Sequence, residues 1–475
     1  MEAIDSIMRT ATSLFAAQLL IAAPLIAQAP TAAWNPVTPN DRRVQQIVRD
    51  VSAQELEIDI RMLVSFGTRH TGSDTLSPTR GIGAARRWIH AQFDSMSVGC
   101  GGCLEVNYVA ETFGPTNRQP VPVSVVSVVA VQRGQTDTGR VVVISGHFDS
   151  RNSDAANITD SAPGANDDGS GTAAVIESAR VLSRQRFSGT VIYAALAGEE
   201  EGLWGGQAVA RWVHARNYRV EAVLNNDIVG NTRGADGAND DRTLRVFSDG
   251  TPPTETEQER TRRRSTGGEV DGISRQVARY VHMIARQYVP GLDVWMIYRL
   301  DRYGRGGDHR AFADLGYPAV RVTEAHEDWS RQHQNVRVEN GIAYGDVIEG
   351  VDFPYLAKVT SLNAASLASL AWAPAPPRTA RIAGGNRPAA TITWQAPEDS
   401  SDVTGYRVYW RRTDSPIWDN WRDVGMVNTY TATGLVIDNW FFGVAAVSRD
   451  GHESTVVFPG PAAPAGPAAA TPGGN

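Results

Sequence analysis

TVIYAALAGEEEGLWGG (residues 190–206) passes from an unbroken apolar run into three adjacent glutamates and then into a helical pattern. A strand that is apolar along its whole length is buried on both faces, as in parallel sheets flanked by helices. The acidic triplet stands where that strand ends. Neighbouring carboxylates repel one another, so Glu199, Glu200 and Glu201 call for positive charge close by.

The same texture recurs outward from this stretch. VPVSVVSVVAV (121–131), RVVVISGHFDS (140–150), EAVLNNDIVGN (221–231), TLRVFSDG (243–250) and YPAVRVTEA (317–325) read as strands. Between and after them, segments 171–185, 203–217, 273–289 and 354–372 have helical spacing, as do 42–66 and 79–96 ahead of the strands. This alternation predicts an α/β fold, a mostly parallel mixed sheet sandwiched by helices. Such sheets bind their ligands at the carboxyl ends of the strands. Apart from TLRVF, residues 232–271 read as polar loops and insertions, and TRRR (261–264) as a solvated loop rather than a binding stripe.

A length of 475 residues, 42% of them hydrophobic and 20% charged, suits a soluble globular chain of two or three units. The net charge of −7 gives no reason to expect a nucleic-acid partner. Lys358 is the single lysine, which removes P-loop and Schiff-base chemistry unless Lys358 itself serves. Residues 8–29, MRTATSLFAAQLLIAAPLIAQA, place Arg9 before an apolar stretch and small residues at Ala27 and Ala29. That is the pattern of an export signal, predicting a secreted or periplasmic protein that meets the membrane only in transit; an uncleaved anchor is the alternative. Cys100 and Cys103 are the only cysteines, and in an exported chain they are expected to form a local disulfide.

Polar residues gather at the predicted strand ends. SGHFD supplies His147 and Asp149, two apart on one face. PGANDDGSG (163–171) supplies Asp167 and Asp168, NNDIVGN (225–231) supplies Asp227, and HEDWSRQHQN (326–335) supplies His326 and His333. Taken singly each has a plain structural reading, such as DDGSG forming a turn that caps the next helix. Together they make a cluster of carboxylates that two divalent cations and a hydroxide would balance, with imidazoles completing the set. No G-x-S-x-G and no H-E-x-x-H occurs, which disfavours a serine hydrolase and a thermolysin-like enzyme.

These motifs, with GGDHRAFADLGYPAV (306–320), strongly resemble the M28 family of zinc peptidases, the co-catalytic aminopeptidases. The resemblance runs from TRHTGS (68–73) to the helix ending near 372. It implies two Zn²⁺ per chain, one held by His147 and Asp227, the other by Glu200 and His333, with Asp167 shared. His326 competes with His333 for the final ligand position. Glu199 takes the general-base position, Asp149 stands behind the histidine and orients it, and Glu201 is expected to face solvent. Asp308 and His309 match the family's DH pair as supporting or pocket residues, and Tyr303 is a candidate oxyanion donor. The implied activity is removal of N-terminal residues from peptides or proteins with a free N-terminus, through a metal-bridging hydroxide. Alternatives are an M28-fold carboxypeptidase, a glutaminyl cyclase, or a catalytically silent binding protein on the same scaffold. Trp204 and the 292–305 segment are candidates for the pocket wall.

The expected division is a signal at 1–33, a zinc peptidase domain at 34–373, a Pro-rich linker at 374–377, a small all-β sandwich at 378–458 and a disordered tail at 459–475. The sandwich resembles a fibronectin type III domain. Trp394 in TITW takes the place of its core tryptophan, GYRVYWR (405–411) matches the next strand, and Trp440 and Phe441 stand near the usual corner tyrosine. A spacer role is expected for it, with polymer or cell-surface contact as the alternative.

Overall fold

The computed structural model describes residues 41–461; the stretch read as an export signal and the chain beyond residue 461 lie outside the described residues. Its central sheet holds β1 (Leu104–Phe113), β2 (Val123–Gln132), β3 (Asp137–His147), β4 (Gly189–Leu196), β5 (Arg219–Asn226), β6 (Thr243–Ser248), β7 (Asp293–Ile297) and β8 (Ala319–Glu324). Their order in space is β1-β2-β4-β3-β5-β8-β6-β7. The run β4–β3–β5–β8 and the pair β6–β7 are parallel. The pairs β1–β2, β2–β4 and β6–β8 are antiparallel. The mostly parallel mixed sheet expected from the sequence is therefore present, with the parallel run at its centre.

The helices are α1 (Arg42–Asp50), α2 (Ala53–Ser65), α3 (Gly81–Gly99), α4 (Gly169–Leu182), α5 (Glu199–Gly202), α6 (Trp204–Ala215), α7 (Glu257–Thr266), α8 (Ile273–Tyr288), α9 (His309–Ala313) and α10 (Phe353–Trp372). The pleat of β4 explains why its sequence is apolar throughout. Val191, Tyr193 and Ala195 enter a core shared with α2, α3, α4, α8 and α10. Ile192, Ala194 and Leu196 enter the opposite core, covered by α6 and α9. None of the described helices is long and apolar enough to cross a membrane.

Some local expectations change. Segment 42–66 is two helices, because Ser52 caps α2 by accepting from the Glu55 amide. The stretch around TRRR is helix α7 rather than a loop. Thr256 and Glu259 cap it reciprocally, and none of its residues is buried, so a solvated face survives without an apolar stripe. Cys100 and Cys103 are joined by a disulfide just after α3.

Beyond a short hairpin, β9 (Arg337–Glu339) and β10 (Ile342–Tyr344), the chain builds two small facing sheets. They comprise β11 (Thr379–Ala383), β12 (Ala389–Gln395), β13 (Gly405–Arg412), β14 (Asn420–Gly425), β15 (Thr429–Thr433), β16 (Trp440–Val447) and β17 (Gly460–Pro461). The sheet orders are β15-β12-β11-β17 and β14-β13-β16. Trp394 is buried between them, 5.4 Å from the Tyr406 ring; Phe442 joins that core and Trp440 packs against it. Strand β17 pairs with β11, so Gly460 and Pro461 belong to the sheet and not to a tail.

The sandwich docks on the larger domain instead of hanging from a free linker. Ala373, Pro374 and Pro377 are buried. Asp271 receives the Arg279 guanidinium from α8 at 2.7 Å and the Arg411 guanidinium from β13 at 2.7 Å, all three side chains being at most 2% exposed. Arg279 also donates to the Pro416 carbonyl at 2.8 Å, and Trp418 donates to Gln276 at 3.1 Å. Removing the shared carboxylate would leave two buried cations without a counter-charge. Asp271→Ala is expected to lower unfolding free energy by about 3–5 kcal/mol, read from denaturant unfolding; a change under about 1 kcal/mol would show the pair to be solvated.

Candidate metal centre

Three neighbouring parallel strands deliver the central side chains. His147 is the last residue of β3, Glu199 follows the turn after β4, and Asp227 follows β5 directly. The turn needs Gly198, whose φ of +76° lies in the left-handed region and whose added Cβ would meet Trp204 and Val125 at 3.3 Å. Asp167 comes from the loop leading into α4. The neighbouring Asp168 is the helix cap, accepting from the Gly171 amide at 2.8 Å, and it also accepts from the His147 amide at 2.9 Å. The capping reading of DDGSG thus belongs to Asp168, which leaves Asp167 free for the site. Asp346 holds the loop from behind, accepting from the Asp167 amide at 2.7 Å.

Donor atoms of His147, Glu199 and Asp227 lie within 4.8 Å of one another, and so do those of Asp167, Glu200 and His333. Asp167 joins the two groups: its Oδ1 is 3.3 Å from His147 Nε2, and its Oδ2 is 2.9 Å from His333 Nε2. His333 Nε2 is also 2.8 Å from Glu200 Oε1. Even so, His147 Nε2 and Glu200 Oε1 are buried without a hydrogen-bond partner. Close approach without hydrogen-bond direction is what lone pairs converging on a common point produce, and nitrogen and carboxylate donors of this kind suit Zn²⁺.

The charges respond to this crowding. Burial alone would lower the His147 imidazole, but Asp149 and Asp167 hold it well above its usual value. Burial likewise opposes charge on His333, yet Glu200 and Asp167 raise it to about 10. Glu200 falls to about 2 despite its burial, because His333 and Arg151 face it. Glu199 moves the other way: burial pushes its carboxyl well above the usual range, and Asp227, Glu200 and Asp308 add like charge. Two adjacent glutamates therefore sit in opposite environments, the arrangement that separates a proton acceptor from a permanently ionised partner.

The other residues singled out in the sequence take varied places. The Asp149 carboxylate is 3.5 Å from His147 Nδ1 and accepts from the Glu199 and Glu200 amides, so it braces both the ring and the turn. Asp308 is fully buried, accepts from the Gly206 amide, and is pushed by burial to about 7. His309 is buried and hydrogen-bonds to the Leu300 carbonyl. Tyr303 is 89% exposed and does not line the cavity over the two groups, so it does not serve as an oxyanion donor in this arrangement. Its neighbours Arg302, Gly304 and Arg305 do line that cavity; Trp204 does not, being buried against Phe113. His326 pairs with Asp236 away from the groups. Glu201 does not face solvent: it is buried, bonded to the Thr71 hydroxyl and 3.3 Å from His70 Nε2, and burial raises it to about 8.

Three arginines support the site. Arg321 reaches Asp227 Oδ2 at 2.8 Å, and Arg151 reaches Glu200 Oε2 at 2.8 Å and His333 Nδ1 at 2.6 Å. Arg69 is fully buried and donates to the carbonyls of Leu63, Phe148, Pro163 and Gly164, drawing the two ligand-bearing loops together. Only Arg69 had a sequence signal, through TRHTGS. Among the described non-glycine residues, positive φ occurs at Leu203, Asn217, Ile228, His333 and Asn340, and three of these line the cavity. Such backbone strain is concentrated where side chains must be aimed.

Comparison with known proteins agrees with this architecture. The family model described as peptidase family M28 matches residues 127–347, and that of the fibronectin type III domain matches residues 357–459. A probable zinc metalloprotease of Pyrenophora tritici-repentis is 42% identical over 90% of this chain and 91% of its own length. Another, of Leptosphaeria maculans, is 42% identical over 89% of this chain and 97% of its own length. The crystal structure of Legionella pneumophila LapA aminopeptidase superposes with a TM-score of 0.50 at 20% identity, covering 71% of this chain and 77% of that one, a likeness of fold. The chain belongs to peptidase family M28, with a fibronectin type III domain following its peptidase domain.

Proposed function

We propose that this protein is an exported aminopeptidase that holds two zinc ions and removes N-terminal residues from peptides. The observation that carries the reading is the placement of Asp167, whose two oxygens face two different histidines. That placement supports a shared aspartate, with His147 and Asp227 on one side and Glu200 and His333 on the other. The zinc metalloprotease description of relatives over 40% identical supports the metal, and the aminopeptidase reading follows the family resemblance. Export rests on the N-terminal sequence pattern alone.

When bound, the metal pair supplies Lewis acidity that makes a water nucleophilic and offsets negative charge on the carbonyl oxygen. Glu199 accepts the proton of the attacking water and passes it to the departing amine nitrogen. Its raised proton affinity suits that exchange, while Glu200, held ionised, remains a ligand. Asp149 keeps the two roles distinct by fixing both backbone amides of the turn. Arg151 and Arg321 steady the outer oxygens of Glu200 and Asp227.

Glu199→Gln is expected to keep two zinc ions per chain by elemental analysis while kcat falls by about 10²–10⁴-fold; wild-type turnover would remove Glu199 from its role. His333→Ala is expected to lose one of two zinc equivalents, because only one group depends on it; unchanged metal content would exclude it as a ligand. Hydrolysis of aminoacyl anilides compared with N-blocked peptides tests the exopeptidase direction, and cleavage of the blocked peptides alone would overturn it.

A further inference from the structure

The cavity above the two groups has a volume of about 730 Å³. Its lining carboxylates are Asp167, Glu199, Glu200 and Asp227, all members of those groups. Against them stand five guanidiniums, from Arg118, Arg151, Arg302, Arg305 and Arg310. The apolar side chains are few: Leu203, Ile228 and Trp329. An apolar substrate residue would bury little matching surface here and would strip water from cations.

The arginines are not equally occupied. Arg151 is committed to Glu200 and His333. Arg302 and Arg305 share Glu327 with Arg245 from outside the cavity, and Arg302 also reaches Asp301 at 3.3 Å. Arg118 is exposed and donates to the Glu200 carbonyl, a neutral acceptor. Arg310, at the start of α9, has no ion pair among the described residues, and its Nε is buried without a hydrogen-bond partner. Its Nη1 lies 2.9 Å from where a Cβ of Gly306 would stand, with Leu203 on the same side, so the guanidinium sits against the cavity wall where the absence of a side chain at 306 leaves room. Arg151, Arg302 and Arg305 each face a carboxylate, so the least satisfied cationic donor on the cavity wall is Arg310.

We infer that the cavity selects a substrate carboxylate, supplied by the side chain of an N-terminal aspartate or glutamate, with Arg310 as its anchor. The inference rests on the aminopeptidase reading and specifies its substrate class. Arg310 contributes a fixed fork of donors, and Arg118 and Arg305 add charge that draws acidic peptides in.

The test compares Glu-, Asp-, Leu- and Arg-anilides on the zinc-loaded full chain. The expected result is a kcat/KM for Glu and Asp about 10- to 100-fold above Leu, the range of a charge-assisted hydrogen bond. That preference is expected to shrink as salt rises. In Arg310→Gln the Glu-to-Leu ratio is expected to fall by about tenfold, and Arg310→Lys to recover part of it. A wild-type ratio at or below one overturns the inference while leaving the aminopeptidase reading intact, and needs no variant to fold. Equal anilide rates combined with faster cleavage of Leu-Leu than of Leu-Leu-amide would assign the carboxylate to the peptide terminus and overturn the side-chain assignment. Failure to cleave any anilide alongside cleavage of N-blocked peptides would remove the aminopeptidase reading, and this inference with it.

Discussion

The governing constraint in this molecule is the close burial of like charges at the end of a parallel sheet. Asp167, Glu200 and Asp227 are all buried, each with an oxygen within 3.9 Å of His147 or His333. Carboxylates cannot be held so densely in a dry interior unless cations or donors meet every oxygen. The fold supplies these in layers. Imidazoles of His147 and His333 face the inner oxygens, Arg151 and Arg321 face the outer ones, and backbone amides satisfy the carboxylates of Asp149, Asp168 and Asp346 one layer further out. The facing carboxylates hold both histidines high in proton affinity, and the facing imidazole and Arg151 hold Glu200 low; a divalent cation would compete with the proton for those same inner lone pairs.

The sheet makes such density reachable. With β4, β3 and β5 adjacent and parallel, each strand ends on the same side and contributes one side chain. What the strands do not determine is aim, and here the backbone departs from comfort. Ile228, immediately after Asp227, holds φ at 61°, and His333 holds φ at 53°. A β-branched residue in the left-handed region is costly, so surrounding contacts must enforce it. Asp168 does so at Ile228, accepting its amide at 3.2 Å while capping α4.

The sequence was informative where chemistry and periodicity coincide. His147, Asp167 and Asp227 stood out because each interrupts an apolar or glycine-rich pattern, whereas the choice of Glu200 among three glutamates and of His333 over His326 came from the resemblance to the M28 family. The alternating cores were readable from β4 itself. Strands β1 and β7 were missed because LEVNYVAETF and DVWMI (293–297) mix polar and apolar residues at the sheet edges. Helix α7 was missed because its stability is local, in its caps and charge pairs. Arg321 was hidden inside a strand pattern, where a lone arginine reads as outward-facing. Glu201 was misread for the opposite reason: its partners Thr71 and His70 lie 130 and 131 residues away, and no local pattern announces them.

The anchoring of the β-sandwich bears on how this chain can be divided. Phe441 and Phe458 pack beside Gly267 and Gly268, Trp372 at the end of α10 lies 5.3 Å from the ring of His452, and Arg140 within β3 donates to the Leu370 carbonyl of α10. A cut after the last helix would uncover aromatic rings and leave Asp271 and Arg279 at a raw surface without Arg411. Excising the peptidase half cleanly would therefore require redesigning the face that the sandwich covers.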